Sequence, residues 1–449
     1  MKILRLPPTK IEKAAQKGSI TLGVIGLGYI GLPIALLFAK ANLKVIGRDI
    51  DPLKIDKLRK GEIPTSGEKS LKDLLAEVRA RFTPTMEIED LKDADVFIIA
   101  VPTLLDSNNK IDLSYVKQAS HDLARCLTKE ALVVLESTVP PSTTDEIIIR
   151  ILEKESKLKA GADFGVAVCP ERANPGVILS TMMERTKIIG ALDEQSLQAT
   201  TALYSLISKR EPLQVPNMRT AETVKVVENS LRDVEIAYAN VIALYCEKIK
   251  VDVKTVIDAA NTHPARKIRE PSAGVGGACI PVNPHFIIQT SKDSYTALMT
   301  EARKINDYMS HHVVDRVSEW VKKEEKIAEA TVLLLGYSYK SNVSDVRYSP
   351  AKKIFNELKK RGFKVSIYDP YAKAVVSEAE KRFFIDNPYE AAKKAHCVVA
   401  AIGHDVFKSL EFTNLAQKMR KPLFYDCTFS FDSGELRKAG FKYKGVGRL

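Results

Sequence analysis

Apolar residues along this chain fall in short unbroken runs, separated by longer stretches in which they return every three or four positions. The runs Thr21-Leu22-Gly23-Val24-Ile25, Val96-Phe97-Ile98-Ile99-Ala100-Val101, Ala131-Leu132-Val133-Val134-Leu135, Phe164-Gly165-Val166-Ala167-Val168 and Lys187-Ile188-Ile189-Gly190 predict strands buried on both faces. Buried strands alternating with helical patterns predict an α/β fold with a doubly wound parallel sheet. From Arg219 to about Lys250 the period becomes that of one long helix, and further helices follow to about Glu325. A second α/β unit opens at Thr331-Val332-Leu333-Leu334-Leu335-Gly336. It continues through a helix to Lys364-Val365-Ser366-Ile367-Tyr368-Asp369 and then to Cys397-Val398-Val399-Ala400-Ala401-Ile402. Three domains are expected: 1–212, a central helical segment over 213–325, and 326–449.

The first strand runs into Gly26-Leu27-Gly28-Tyr29-Ile30-Gly31 and then a helical stretch, which is G-x-G-x-x-G in the strand-to-helix setting it requires. The first glycine permits the tight turn, the second lets a pyrophosphate approach, and the third packs helix on strand. The second strand, Lys44-Val45-Ile46-Gly47-Arg48-Asp49, ends in an acid about 20 residues on, where a carboxylate accepts from ribose hydroxyls. Together these predict a Rossmann-type domain that binds NAD in preference to NADP. Arg48 is the one residue that could instead meet a 2′-phosphate. Three strands end in small or polar residues, Pro102-Thr103, Glu136-Ser137-Thr138 and Cys169-Pro170-Glu171-Arg172. Ligands of such sheets lie at the carboxyl ends of the strands, so Thr103, Thr138, Glu171 and Arg172 either line a site or cap the helices that follow.

On the long helix, Lys225, Asn229 and Arg232 fall at i, i+4 and i+7 and share one face. Just downstream comes Gly274-Val275-Gly276-Gly277-Ala278-Cys279-Ile280-Pro281-Val282-Asn283-Pro284. Backbone this rich in glycine can pass close to a ligand and aim amide N–H groups at a developing negative charge. Those surroundings favour a thiolate, and so a nucleophilic Cys279, over a small buried cysteine beside a loop. The last α/β unit lacks G-x-G-x-x-G and is expected to bind a different nucleotide or none.

Composition adds exclusions. No apolar run approaches the roughly 20 residues a membrane helix needs, and the lysine-rich stretch before Ile20 lacks the core of a signal peptide, so a cytoplasmic enzyme is expected. The six cysteines are spread without zinc spacing, and no metal is expected. The net charge of +12 comes from lysines interspersed with glutamates, which reads as a solvated surface and not as a nucleic-acid footprint.

With these residues in view, the chain resembles the UDP-glucose/GDP-mannose dehydrogenase family over almost its whole length. The resemblance is carried by the glycine turn, Val101-Pro102-Thr103, Glu136-Ser137-Thr138-Val139-Pro140-Pro141, Cys169-Pro170-Glu171-Arg172 with Pro175-Gly176, Lys225 with Asn229 and Arg232-Asp233, the cysteine loop, and Tyr339-Lys340 with Asp345-Val346-Arg347. The sequence around Cys279 looks like the branch that acts on UDP-N-acetylhexosamines, UDP-N-acetyl-D-mannosamine in particular. UDP-N-acetyl-D-glucosamine or UDP-glucose as substrate, or a non-catalytic binder of sugar nucleotide and NAD, are the alternatives. The resemblance implies oxidation of a C6 alcohol to a carboxylate with two NAD⁺, through a thiohemiacetal and a thioester on Cys279. It gives Lys225, Asn229 and Glu171 roles at the reacting carbon. It assigns Gly26, Gly28, Tyr29, Ile30, Gly31, Asp49, Thr103, Thr138 and Arg347 to NAD. Arg172, Lys225, Asn229, Arg232, His263, Arg266, Gly276, Tyr339 and Lys340 are assigned to the UDP-sugar, and a homodimer through the central helices is implied. Two departures stand out: Asn283 occupies a position where the family usually has aspartate, and His263-Pro264-Ala265-Arg266 displaces the family's arginine by one residue.

Overall fold

The computed structural model describes residues 3–64, 69–174, 176–291, 294–324 and 330–448. Strand β1 (Thr21–Ile25) is followed by β2 (Lys44–Arg48), β3 (Phe82–Thr85), β4 (Val96–Ile99), a small antiparallel hairpin of β5 (Leu104–Leu105) and β6 (Ile111–Asp112), β7 (Leu132–Leu135), β8 (Gly165–Val168), β9 (Ile188–Ala191) and β10 (Leu213–Gln214). The larger sheet has the order β10-β9-β8-β7-β4-β1-β2-β3. A second sheet, β12-β11-β13-β14-β15, is built from β11 (Thr331–Leu335), β12 (Lys364–Tyr368), β13 (Cys397–Ala400), β14 (Leu423–Asp426) and β15 (Lys442–Gly445).

The continuous apolar runs form the central strands: β4, β7 and β8 are buried at every position, as a sheet covered on both faces demands. All five strands of the second sheet are parallel. The first sheet is parallel from β8 through β3, but β9 runs antiparallel to β8, with Val168 opposite Gly190 and Ala167 opposite Ala191. The chain between them does not cross back over the sheet. It carries the short helix Ile178–Glu184 and re-enters at the end where β8 left, so Lys187 starts its strand beside the carboxyl ends of its neighbours.

The helical period from Arg219 onward forms a 32-residue helix, Met218–Ile249, and Ala297–Glu324 forms a second long one. Among the described residues no helix is long and apolar enough to cross a membrane. The chain divides into two compact units, Met1–Glu228 with His285–Thr290, and Asn229–Pro284 with Ser291–Leu449. Lys225 therefore belongs to the first unit and Asn229, one turn later on the same helix, to the second.

Candidate active site

In the first unit the three glycines of the turn after β1 do three different things. Gly26 has φ +94, and a Cβ there would stand 2.6 Å from the Ala100 carbonyl oxygen. A Cβ on Gly31 would lie 1.8 Å from the Gly26 carbonyl oxygen, so helix and strand could not close together with any other residue. Gly28 faces open space, with nothing within 4 Å of the position its Cβ would take. No side chain caps the helix Gly31–Lys40, which leaves its first amides for an anion settling over Gly28. Ile30 stands half-buried at the entrance to that helix.

Asp49 is buried and already holds the turn. Its Oδ2 accepts from the Leu27 N–H at 2.9 Å and from Lys54 Nζ at 3.0 Å, and its Oδ1 accepts from the Asp51 N–H at 3.0 Å. A carboxylate offers about four acceptor positions, so one is left for a ribose hydroxyl. Arg48 is committed elsewhere, to Asp122 Oδ2 at 2.9 Å and the Met86 carbonyl at 3.2 Å, and does not wait for a 2′-phosphate. These residues fit NAD. The Tyr29 hydroxyl accepts from the Gly176 N–H at 3.2 Å, and the Thr103 hydroxyl donates to the Thr138 carbonyl at 2.6 Å. Pro175 lies outside the described residues.

Glu171 is buried just past β8, its Oε1 accepting from the Arg172 N–H at 2.6 Å and its Oε2 paired with Lys187 Nζ at 2.5 Å. Arg172 makes a two-pronged pair with Glu228 on the long helix and donates through Nη1 to the Thr186 carbonyl at 3.1 Å. A phosphate taken by Arg172 has to displace Glu228. Lys225 is half-buried on that helix.

The second unit carries the thiol. Cys279 is exposed, while the other five cysteines are buried. It sits on the turn that leads into the helix Asn283–Thr290, and its carbonyl accepts from the N–H groups of Val282 at 3.2 Å and Asn283 at 2.9 Å. Asn283 is buried, and its Oδ1 accepts from Asn229 Nδ2 at 2.5 Å, which ties the turn to the long helix. The glycines before Cys279 are pressed against protein. A Cβ on Gly277, where φ is +86, would stand 2.7 Å from the Tyr339 ring, and one on Gly276 would meet Tyr339, Pro350 and the Tyr348 carbonyl at 2.7–2.9 Å. The Gly277 N–H donates to the Arg347 carbonyl at 2.9 Å. These glycines clear room for the turn that bears Tyr339, Lys340 and Arg347.

That turn follows β11. Burial, then the carboxylate of Asp345 and the thiol of Cys279, push the Tyr339 phenol well above its usual range, with Arg347 and Arg232 pulling the other way. Arg232, Cys279, Tyr339, Asp345 and Arg347 thus share one electrostatic neighbourhood. Arg347 is held bidentately by Asp345, with its closest contact at 2.6 Å, and both stand in the second unit. Lys340 and Arg232 are exposed. His263 and Arg266 lie on the exposed loop after the helix Val253–Ala260, each bonding within that loop.

Sequence reasoning missed what holds this turn. Asp369 ends β12 as Asp49 ends β2, and its Oδ2 accepts from the Tyr337 and Ser338 N–H groups at 2.7 and 2.9 Å and from His404 Nε2 at 3.1 Å. Burial alone would raise this carboxyl; the bonds from His404, Ala372 and Ser338 override it and hold it down at about 2. The signal was present as an aspartate closing the second strand of each α/β unit. At the place of open Gly28, the second unit has buried Ser338, which removes the room for a pyrophosphate there.

A dinucleotide cradle on one unit and an exposed, glycine-set thiol on the other define an NAD-dependent oxidoreductase. Residues 20–208, 219–308 and 333–433 match, in turn, the NAD binding, central and UDP binding domains of the UDP-glucose/GDP-mannose dehydrogenase family. The UDP-N-acetyl-D-mannosamine dehydrogenases of Pyrococcus horikoshii and Methanocaldococcus jannaschii are each 35% identical to this chain, covering 95% and 98% of it and 99% of each relative. The solved structure of the Pyrococcus horikoshii UDP-D-ManNAc dehydrogenase aligns with a TM-score of 0.87 at 34% identity, over 96% of this chain and 99% of that one. The chain belongs to the UDP-glucose/GDP-mannose dehydrogenase family and is an NAD-dependent UDP-sugar dehydrogenase.

Proposed function

We propose that the protein oxidises UDP-N-acetyl-D-mannosamine at C6 to the uronate, with Cys279 as the nucleophile. The observation that carries this reading is the single exposed cysteine among six, set on a turn whose geometry depends on Gly276 and Gly277 and shared with Tyr339 and Arg347. The names of the relatives support the choice of sugar.

The glycine turn, the first amides of the helix Gly31–Lys40 and Asp49 would hold NAD⁺, which would supply the hydride acceptor for each of two oxidations. In the first, the C6 alcohol loses a hydride and a proton to become the aldehyde. The Cys279 thiolate then adds to the aldehyde carbon, and the oxygen takes a proton, to give a thiohemiacetal. Loss of that proton and a second hydride leaves a thioester, and water cleaves the C–S bond to release carboxylate and thiol. Lys225 serves the oxygen at C6, and Asn283, which cannot take a proton, holds a water through its amide while keeping Asn229 and Cys279 in register. Glu171 orients the hydrolytic water. Arg232, Tyr339 and Lys340 hold the UDP moiety.

A second copy is expected on the long helix, where Leu231, Tyr238, Val241, Tyr245 and Ile249 form one stripe, each 40–58% exposed. A monomeric sedimentation mass would contradict that part.

The test is NADH yield. The purified protein should form two NADH per UDP-N-acetyl-D-mannosamine, faster than with UDP-N-acetyl-D-glucosamine or UDP-glucose. Cys279→Ala should bind both ligands yet release no uronate at a normal rate. One NADH per sugar, or near-normal turnover in Cys279→Ala, overturns the mechanism.

A further inference from the structure

Behind Glu171 the first unit encloses a cluster of ionisable groups that no step above uses. Glu136 stands one residue past β7, Cys169 and Glu171 just past β8, Lys187 one residue before β9, and Tyr204 on the helix Glu194–Ser205. The antiparallel register of β8 and β9, continued three residues beyond the Val168–Gly190 pair, brings Lys187 opposite Glu171. Exposure is 2% for Glu136, 3% for Lys187, 6% for Glu171 and nil for Tyr204 and Cys169. Lys187 is bonded to Glu171, whose other oxygen is taken by the Arg172 N–H. The Tyr204 hydroxyl donates to Glu136 Oε1 at 2.5 Å, and Glu136 Oε2 has no hydrogen-bond partner among the described residues.

One ammonium therefore faces two carboxyl groups where water does not reach. In such a place the state of lowest cost sheds one negative charge by keeping a proton. Glu171 has the ammonium in direct contact, whereas Glu136 has only a phenol. Burial, reinforced by Glu171 and opposed by Lys187, pushes the Glu136 carboxyl up to about 8. Burial would pull the Lys187 ammonium down, but Glu171 and Glu136 outweigh it, and burial keeps both Tyr204 and Cys169 neutral.

We propose that Glu136 is a positioning residue for Glu171, carrying the cluster's proton as a neutral acid so that Lys187 is committed to Glu171 alone. The proposal rests on the reading of Glu171 as the residue that orients the hydrolytic water. When Glu136 ionises, Lys187 divides between two carboxylates and Glu171 loses its fixed place. Release of uronate then slows while binding of either ligand does not.

The test uses the full chain with NAD⁺ and UDP-N-acetyl-D-mannosamine between pH 6 and about 9.5. In the wild type, kcat should fall with an alkaline limb near pH 8, with KM for both substrates flat across it. Glu136→Gln, which cannot ionise, should lose that limb. Superimposable profiles for wild type and Glu136→Gln overturn the proposal. An infrared titration reads the proton without turnover. A carboxylic-acid C=O band should appear at neutral pH in the wild type minus Glu136→Gln difference spectrum, where the raised Glu222 carboxyl cancels, and should be lost at lower pH in Glu171→Gln, where Lys187 is free to turn to Glu136. A difference spectrum without that band also overturns it. Normal uronate release by Glu171→Gln would sink the role given to Glu171, while the infrared result still decides where the proton sits.

Discussion

Asp49 carries two loads at once, fastening the glycine turn through the Leu27 N–H and keeping Lys54 occupied. An amide in its place loses one acceptor oxygen and the charge that holds Lys54, which then becomes available to a 2′-phosphate. Asp49→Asn should raise KM for NAD⁺ about 10- to 100-fold, the worth of a charged hydrogen bond, and narrow the preference for NAD⁺ over NADP⁺. Steady-state KM values for both cofactors check this, and an unchanged ratio would mean that Asp49 serves the turn alone. At this scale the sequence exposed residues whose chemistry depends on neighbours in the chain: Gly26, Gly28 and Gly31, the acid ending β2, and Cys279 among its glycines. It did not expose Lys187 with Glu136, or Asp369 with His404, because those partners lie 51 and 35 positions apart and meet only when strands align. Nor did it show that Arg172 is already occupied by Glu228.

The turn bearing Cys279 and the turn after β11 are built as one piece. A methyl group on Gly277 must enter the Tyr339 ring at 2.7 Å and sit at φ +86, a conformation that costs an L-residue on the order of 1–3 kcal/mol. Gly277→Ala should therefore weaken UDP binding and lower kcat about tenfold or more, while NADH binding falls less, since the glycine turn and Asp49 belong to the other unit. Calorimetric titration with UDP and NADH distinguishes the two, and equal losses for both ligands would contradict it. The central strands of both sheets and the length of the long helix were legible because run length and period encode them. The reversal of β9 was not, since an apolar run reads the same in either direction.

For the whole molecule, individual carboxyls pull the pH dependence of stability in opposite directions. In the first unit Glu222, on the long helix, accepts from the Ser142 and Thr144 N–H groups, and burial outweighs those bonds to push its carboxyl up to about 7. A folded value above the unfolded one stabilises in acid and is lost as pH rises, at up to about 1.4 kcal/mol per pH unit between the two values. In the second unit, hydrogen bonds override burial to hold Asp369 and Glu380 at about 2, so their contribution is complete above the unfolded value and disappears as pH falls towards 2. The thermal midpoint should peak on the acid side of neutrality, near about pH 5, and its decline towards pH 8 should be shallower in Glu222→Gln. Scanning calorimetry across pH measures both, and parallel curves for variant and wild type would exclude Glu222 as a cause. The strand order also bears on how the chain behaves in a crowded solution. The first sheet ends on one side in β10, two exposed residues between Pro212 and Pro216, and on the other in β3, where Pro84 removes a donor from the ladder. The second sheet ends on one side in β12, where Ile367 is already bonded to Phe383 and Ile385, and on the other in β15, whose outward positions are Lys442 and Lys444. Each of these rims offers a stray strand too few N–H groups, or too much positive charge, to template cross-β growth, so two extended sheets can persist in one chain without recruiting their neighbours.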